Sequence, residues 1–155
     1  MIRINDYRQF IAELVHVASE ESGVAAQKIR LGTTEEQLIN LLKDQAGVVV
    51  AGNIPGAAED RNTGFYVGRG ECLLMVLEKT PEDRQGTEWE YTEYQRLQDL
   101  MMAIVRLLLN ADGFDRFCDK GEIDYSRPIN VEWEYNAYGG FNGLSATFIL
   151  KDGNV

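Results

Sequence analysis

Apolar positions along the chain repeat with two different periods, and the change from one to the other marks the elements. Tyr7, Phe10, Ile11, Leu14, Val15 and Ala18 recur at helical spacing, which predicts a first helix with one apolar face. Asn5 or Asp6 is positioned to cap it, and Gly23 to stop it. A second helix is expected from Thr33 or Thr34, where a capping hydroxyl precedes Glu35 and Glu36. Leu38, Ile39, Leu41 and Leu42 supply its apolar surface, and Gly47 ends it. Val48-Val49-Val50-Ala51 reads as a short buried strand.

Gly52 to Gly64 holds Asn53, Pro55, Gly56 and Asn62 and reads as a loop. Phe65-Tyr66-Val67 and Cys72 through Glu78 follow as strands, with Gly68-Arg69-Gly70 as a bulge or turn between them. The polar loop Thr80 to Gly86 leads into the longest helix. Thr87 and Glu90 have capping-box spacing. Tyr94, Leu97, Met101, Ile104, Val105 and Leu108 form its inward face, Leu100, Leu107 and Leu109 widen that face, and Gly113 closes it.

The chain ends in two alternating segments around Gly139-Gly140, a pair suited to a tight turn with positive φ. That turn sets Tyr135 opposite Leu144, Trp133 opposite Ala146 and Val131 opposite Phe148 on one apolar face. Glu132 then faces Thr147 and Glu134 faces Ser145 on the other. A turn at Asn142-Gly143 would set Trp133 against Asp152 and is disfavoured. The order of elements predicts an α+β fold: an antiparallel or mixed sheet, helices packed mainly on one face, and a C-terminal β-hairpin.

Length and composition fit this picture. At 155 residues the chain is expected to form a single domain over residues 1–155. A chain of this size buries roughly 68–70% of its unfolded surface without disulfide or metal. Apolar residues are 45% and charged residues 26%, ordinary values for a globular protein. Lys and Arg number 15 against 25 Asp and Glu, a net charge of −10, with no basic cluster. Binding to nucleic acid, which draws on cationic residues, is therefore not expected. The amino terminus lacks the pattern of a signal peptide, and no segment has the ~18 consecutive apolar residues of a membrane span. The expectation is a cytoplasmic protein without a membrane association.

Candidate chemistry changes little. The lone histidine, His16, falls roughly opposite Leu14 on the first helix and is expected at the surface. Cys72 lies in an apolar run and reads as a small buried hydrophobe, and Cys118 has acidic neighbours that do not favour a thiolate. One histidine and two distant cysteines do not make a zinc site. Asp112, Asp115, Asp119, Glu122 and Asp124 form an acidic stretch, read as a solvated loop in preference to a magnesium or calcium site. Gly68-Arg69-Gly70 lacks the third glycine of a nucleotide loop. Glu132 and Glu134 could pair as acid and base, but an exposed strand face is the simpler reading. Trp133, Tyr135, Tyr138 and Phe141 suggest packing and turn anchoring, since the basic groove of a base-stacking platform is lacking. No catalytic residue, cofactor or metal ligand is assigned.

Three features together resemble the small tail-completion, tail-terminator and neck proteins of tailed phages and prophages. They are the helix Tyr7 to Ala18 with a strand after Gly47, the strand Cys72–Glu78 leading through a polar loop to the helix at Thr87, and the closing hairpin Asn130–Lys151 with Trp133 and Gly143. The resemblance implies a non-enzymatic, virion-associated component that assembles with copies of itself into a ring, often sixfold, and meets tail-tube or head-connector proteins. It implies contacts through loops and sheet edges, with Asn53, Pro55, Arg61, Glu82, Asp83 and Arg84 as interface candidates. Two other readings stay open: a carboxylate-metal hydrolase, and an acidic binding or inhibitor module for a basic protein.

Overall fold

The computed structural model describes residues 3–55, 70–110 and 121–152. Three helices and six strands follow in the order α1 (Ile4–Ser22), β1 (Lys28–Gly32), α2 (Glu35–Leu42), β2 (Val49–Asn53), β3 (Glu71–Lys79), α3 (Glu88–Leu109), β4 (Gly121–Ile123), β5 (Asn130–Ala137) and β6 (Phe141–Asp152). The fold is α+β, and the strands make one mixed sheet in the order β1-β2-β3-β6. β1 and β2 are parallel and joined through α2; the other pairings are antiparallel. Along its far side, β6 pairs first with β5 and then, at its end, with β4.

The alternation of each strand divides the core in two. Val48, Val50, Cys72, Leu74, Val76, Leu144, Ala146 and Phe148 face α1 and α3. Val49, Ala51, Met75, Leu77 and Phe141 face the other way, against Leu38 and Leu42 of α2. Two helices thus share one face, and the third covers the opposite one. α1 buries the six residues its periodicity marks, and Gly23 ends it in the left-handed region at φ 75°, with its N–H on Ser19 O. α3 buries Leu97, Leu100, Met101, Ile104, Val105, Leu107 and Leu108. Leu109, expected inward, is exposed. On α2 only Leu38 and Leu42 are buried, while Ile39 and Leu41 face outward.

Capping differs from expectation at two of the three helices. α1 begins at Ile4, one residue before Asn5, and no side chain caps it. At α3 the Thr87 hydroxyl donates to Arg84 O (2.7 Å) and makes no capping hydrogen bond to the helix, and Glu90 Oε1 has no hydrogen-bond partner among the described residues. At α2 the cap forms: Gln37 N–H donates to Thr34 Oγ1 (3.1 Å), and Thr33 N–H and hydroxyl both donate to Gln37 Oε1. α2 has only 8 residues, too few to persist without such help. Thr34→Ala should therefore lower stability by about 1 kcal/mol, read as a shifted urea midpoint with unchanged slope.

The hairpin register is displaced. Trp133 pairs with Leu144, Val131 with Ala146 and Glu132 with Ser145, each two positions from the expected partner on β6. One position comes from the turn: Ala137 pairs with Phe141, so three residues form the loop, with Tyr138 at φ 51° and Gly139 at φ 91°. The other comes from a bulge between Glu134 and Ala137, where Asn136 (φ 51°) donates its N–H to Asn142 Oδ1 at 2.7 Å. A displacement of two keeps Val131 through Glu134 on their expected faces.

β1 and β4 are additions to the expected elements. β1 follows from the alternation Ile29–Leu31, a run of five residues too short to stand out. β4 lies inside the acidic stretch, whose Asp124 accepts hydrogen bonds from the N–H and hydroxyl of Ser126, as in an ordinary Asx turn. The strand expected at Phe65–Val67, Cys118 and the remaining aspartates of that stretch lie outside the described residues.

Candidate assembly surface

A sheet that stops leaves unpaired N–H and C=O groups along its last strands, and among the described residues this sheet has one edge at β1 and another at β5 and β4. Among the described residues no strand pairs with the outer side of β1 or of β5. The two edges differ in chemistry. On β1, Lys28 and Arg30 lie on the α2 face of the sheet, and Ile29 and Leu31 on the α1/α3 face, since their partners are Val49, Ala51, Val50 and Gly52. On β5, Glu132 and Glu134 lie on the α2 face, and Val131 and Trp133 on the α1/α3 face. Glu134 Oε1 accepts a hydrogen bond from Ser145 Oγ (2.9 Å). Among the described residues, none of Lys28, Arg30, Glu132 and Glu134 is in an ion pair.

Large apolar side chains also stand exposed on and beside β5. Trp133 is 54% exposed, Tyr135 70% and Tyr91 of α3 70%. Trp133 packs one side of its ring on Tyr94 of α3, centroids 5.6 Å apart and planes tilted by 59°. Burial raises the Tyr94 pKa, with Glu90, Glu93, Tyr135 and Tyr91 adding to the effect. Further along α3, Met102 and Leu109 share the direction of Tyr91 to within about 20° at 100° per residue, and both are exposed. An apolar face of this extent beside an open strand edge is the usual mark of an interaction surface. The hairpin's aromatic face was expected on the core; α3 covers β6 but leaves β5 outside, so only Leu144, Ala146 and Phe148 are buried.

The loops expected at an interface are placed as follows. Asn53 is 1% exposed and completes the end of the β2–β3 pairing, its Nδ2 donating to Glu71 O (3.0 Å) and its Oδ1 accepting from Leu73 N–H (2.7 Å). Pro55 is buried, and Arg61 lies outside the described residues. Glu82, Asp83 and Arg84 form an exposed single turn of 3-10 helix, and the Arg84 guanidinium sits 4.8 Å over the Trp89 ring. Within the single chain, then, Asn53 and Pro55 serve the sheet, Arg84 is engaged by Trp89, and Glu82 and Asp83 remain open. The two strand edges stand out only once pairing is known. Lys-Ile-Arg-Leu and Val-Glu-Trp-Glu are alternating runs of opposite charge, and that alternation was the signal within the sequence.

Among the described residues, groups able to do chemistry are not gathered. His16 is exposed and 3.2 Å from Glu20 on its own helix. Burial pushes the Cys72 pKa up to about 12 and keeps the thiol protonated. Among the described residues no three of His, Cys, Asp and Glu converge as a metal site would need. No described helix is long and apolar enough to cross a membrane. Glu93 is a carboxylate buried in the sheet–helix junction. Its Oε1 accepts from the Thr80 hydroxyl (2.8 Å), Thr80 Oγ1 accepts from Asn142 Nδ2 (2.7 Å), and Asn142 holds the bulge. The chain matches no family model, and comparisons with curated proteins and with solved structures return no match.

Proposed function

We propose that this protein is a non-enzymatic assembly subunit that associates with copies of itself into a closed ring, as a tail-completion or neck component of a phage or prophage does. The observation that carries the reading is the pair of unlike open edges, β1 and β5, at opposite ends of one sheet. An interface between unlike patches is heterologous, and heterologous contacts close into rings when the rotation between copies allows. The aromatic surface of Trp133, Tyr135 and Tyr91 gives such a contact apolar area to bury. In this role the acidic charge keeps the ring soluble and suits a basic tail-tube or head-connector partner. Sedimentation velocity over a range of concentrations tests the reading. A concentration-dependent oligomer, seen as rings by negative-stain microscopy, is the expected result. A strictly monomeric species at high concentration that also fails to bind a tail-tube protein would sink it.

A further inference from the structure

The strand directions and the alternation at the two edges specify how one copy would meet the next. β1 runs with β2, and each step from β2 through β3 and β6 to β5 reverses direction, so β5 runs opposite to β1. Copies related by a rotation about an axis along the strands keep both direction and face. β5 of one copy then meets β1 of the next as an antiparallel neighbour, α2 face beside α2 face. β5 is regular from Asn130 to Glu134, where the bulge begins, and β1 runs from Lys28 to Gly32: five residues against five.

We propose that these two segments pair between copies in the register Lys28–Glu134, Ile29–Trp133, Arg30–Glu132 and Leu31–Val131, continuing the sheet around the ring. In this register both basic residues of β1 oppose both acidic residues of β5 on the α2 face. Ile29 and Leu31, half-buried now, lie beside Trp133 and Val131 on the other face. Directly opposed pairs of opposite charge and aromatic–β-branched pairs are the favourable ones across strands. The like-with-like alternatives fare worse. A twofold β5–β5 pairing centred on Trp133 sets Glu132 against Glu134 of the other copy, and a β1–β1 pairing brings Lys28 and Arg30 together. Charge complementarity therefore selects the unlike pairing and with it a ring in place of a dimer.

The pairing rests on the assembly reading above, and a charge-exchange experiment separates the two. One variant is Lys28→Glu with Arg30→Glu; the other is Glu132→Lys with Glu134→Lys. Each alone opposes like charges and should weaken self-association by roughly tenfold or more at low salt. Mixed in equal amounts they restore complementarity at every contact, so assembly should return, with the two variants alternating. The chain bearing all four changes should also assemble alone. If wild type assembles but the variants assemble equally well, or if neither mixing nor the fourfold change restores assembly, the strand pairing is overturned while the ring reading stands. A wild type that never assembles overturns the ring reading itself. Circular dichroism and Tm check that each variant is folded. Arg30→Glu and Glu132→Arg, a matched single pair, carry the same test with less disturbance.

Discussion

Gly143→Ala should lower stability by about 3–5 kcal/mol and leave little folded protein at 37 °C. Gly143 sits near the start of β6, between Leu77 of β3 and Glu134 of β5. A Cβ built there would lie 1.9 Å from Val76 O and 3.0 Å from Val76 C. These are backbone atoms of the central β3–β6 pairing, so no side-chain rotation relieves the overlap, and the two strands would have to part. That loss falls among the large effects traceable to a named steric cause. Gly86→Ala is the control: a Cβ there meets nothing within 4 Å, and only its left-handed backbone (φ +73°) is penalised, by about 1 kcal/mol. Urea denaturation of both variants makes the comparison. Equal, small losses would show that β3 and β6 can move apart at little cost.

Glu93→Gln should stabilise the protein at alkaline pH and do little at acid pH. Burial pushes the Glu93 pKa up to about 7; the Thr80 hydroxyl and Arg96 work against this, and Glu78 and Glu90 add to it. Arg96 itself is held 2.9 Å from Glu78. A raised folded-state pKa means that the folded chain holds a proton that the unfolded chain has lost. Stability therefore falls as pH rises from about 4.5 to about 7, and stays lower above that. Glutamine keeps an oxygen for the Thr80 hydroxyl and removes the buried charge, so the gain should be about 2–3 kcal/mol at pH 8.5 and near zero at pH 4.5. Thermal unfolding of both proteins across this range gives the answer, and parallel pH profiles would refute it. Through Thr80 and Asn142 the same carboxyl bears on the bulge at Asn136, where the regular part of the β5 edge ends.

Local chemistry made much of the fold legible. The helical repeat from Tyr7 to Ala18 buries the six residues it names, and the run Cys72–Glu78 lies within β3. These depend on periods of a few residues, which the chain carries wherever it folds. The hairpin shows where local pattern ends. The faces of its paired residues follow from alternation, but its register depends on a three-residue turn and on a bulge in β5, where Asn136 N–H donates to Asn142 Oδ1. At Thr87, too, the side chain turns to a partner outside the helix, donating to Arg84 O, and no side-chain cap forms.

The assembly surface divides in the same way. The loops at Asn53 and Glu82 drew notice because glycine, proline and polar residues mark loops, yet Asn53 turns out to complete the sheet. The alternating charges of Lys28–Leu31 and Val131–Glu134 were in the sequence throughout, but any two alternating runs look alike until their neighbours are known. Sequence by itself determined the α+β composition, the periodic core and the faces of the hairpin residues Val131 to Glu134, because these arise from spacing along the chain. Only the tertiary structure decided that β1 and β5 lie on opposite edges of the sheet, with unlike charges and Trp133 uncovered. Edge position follows from which strands pair, and pairing joins residues as far apart as Glu71 and Ile149, a relation that no local pattern carries.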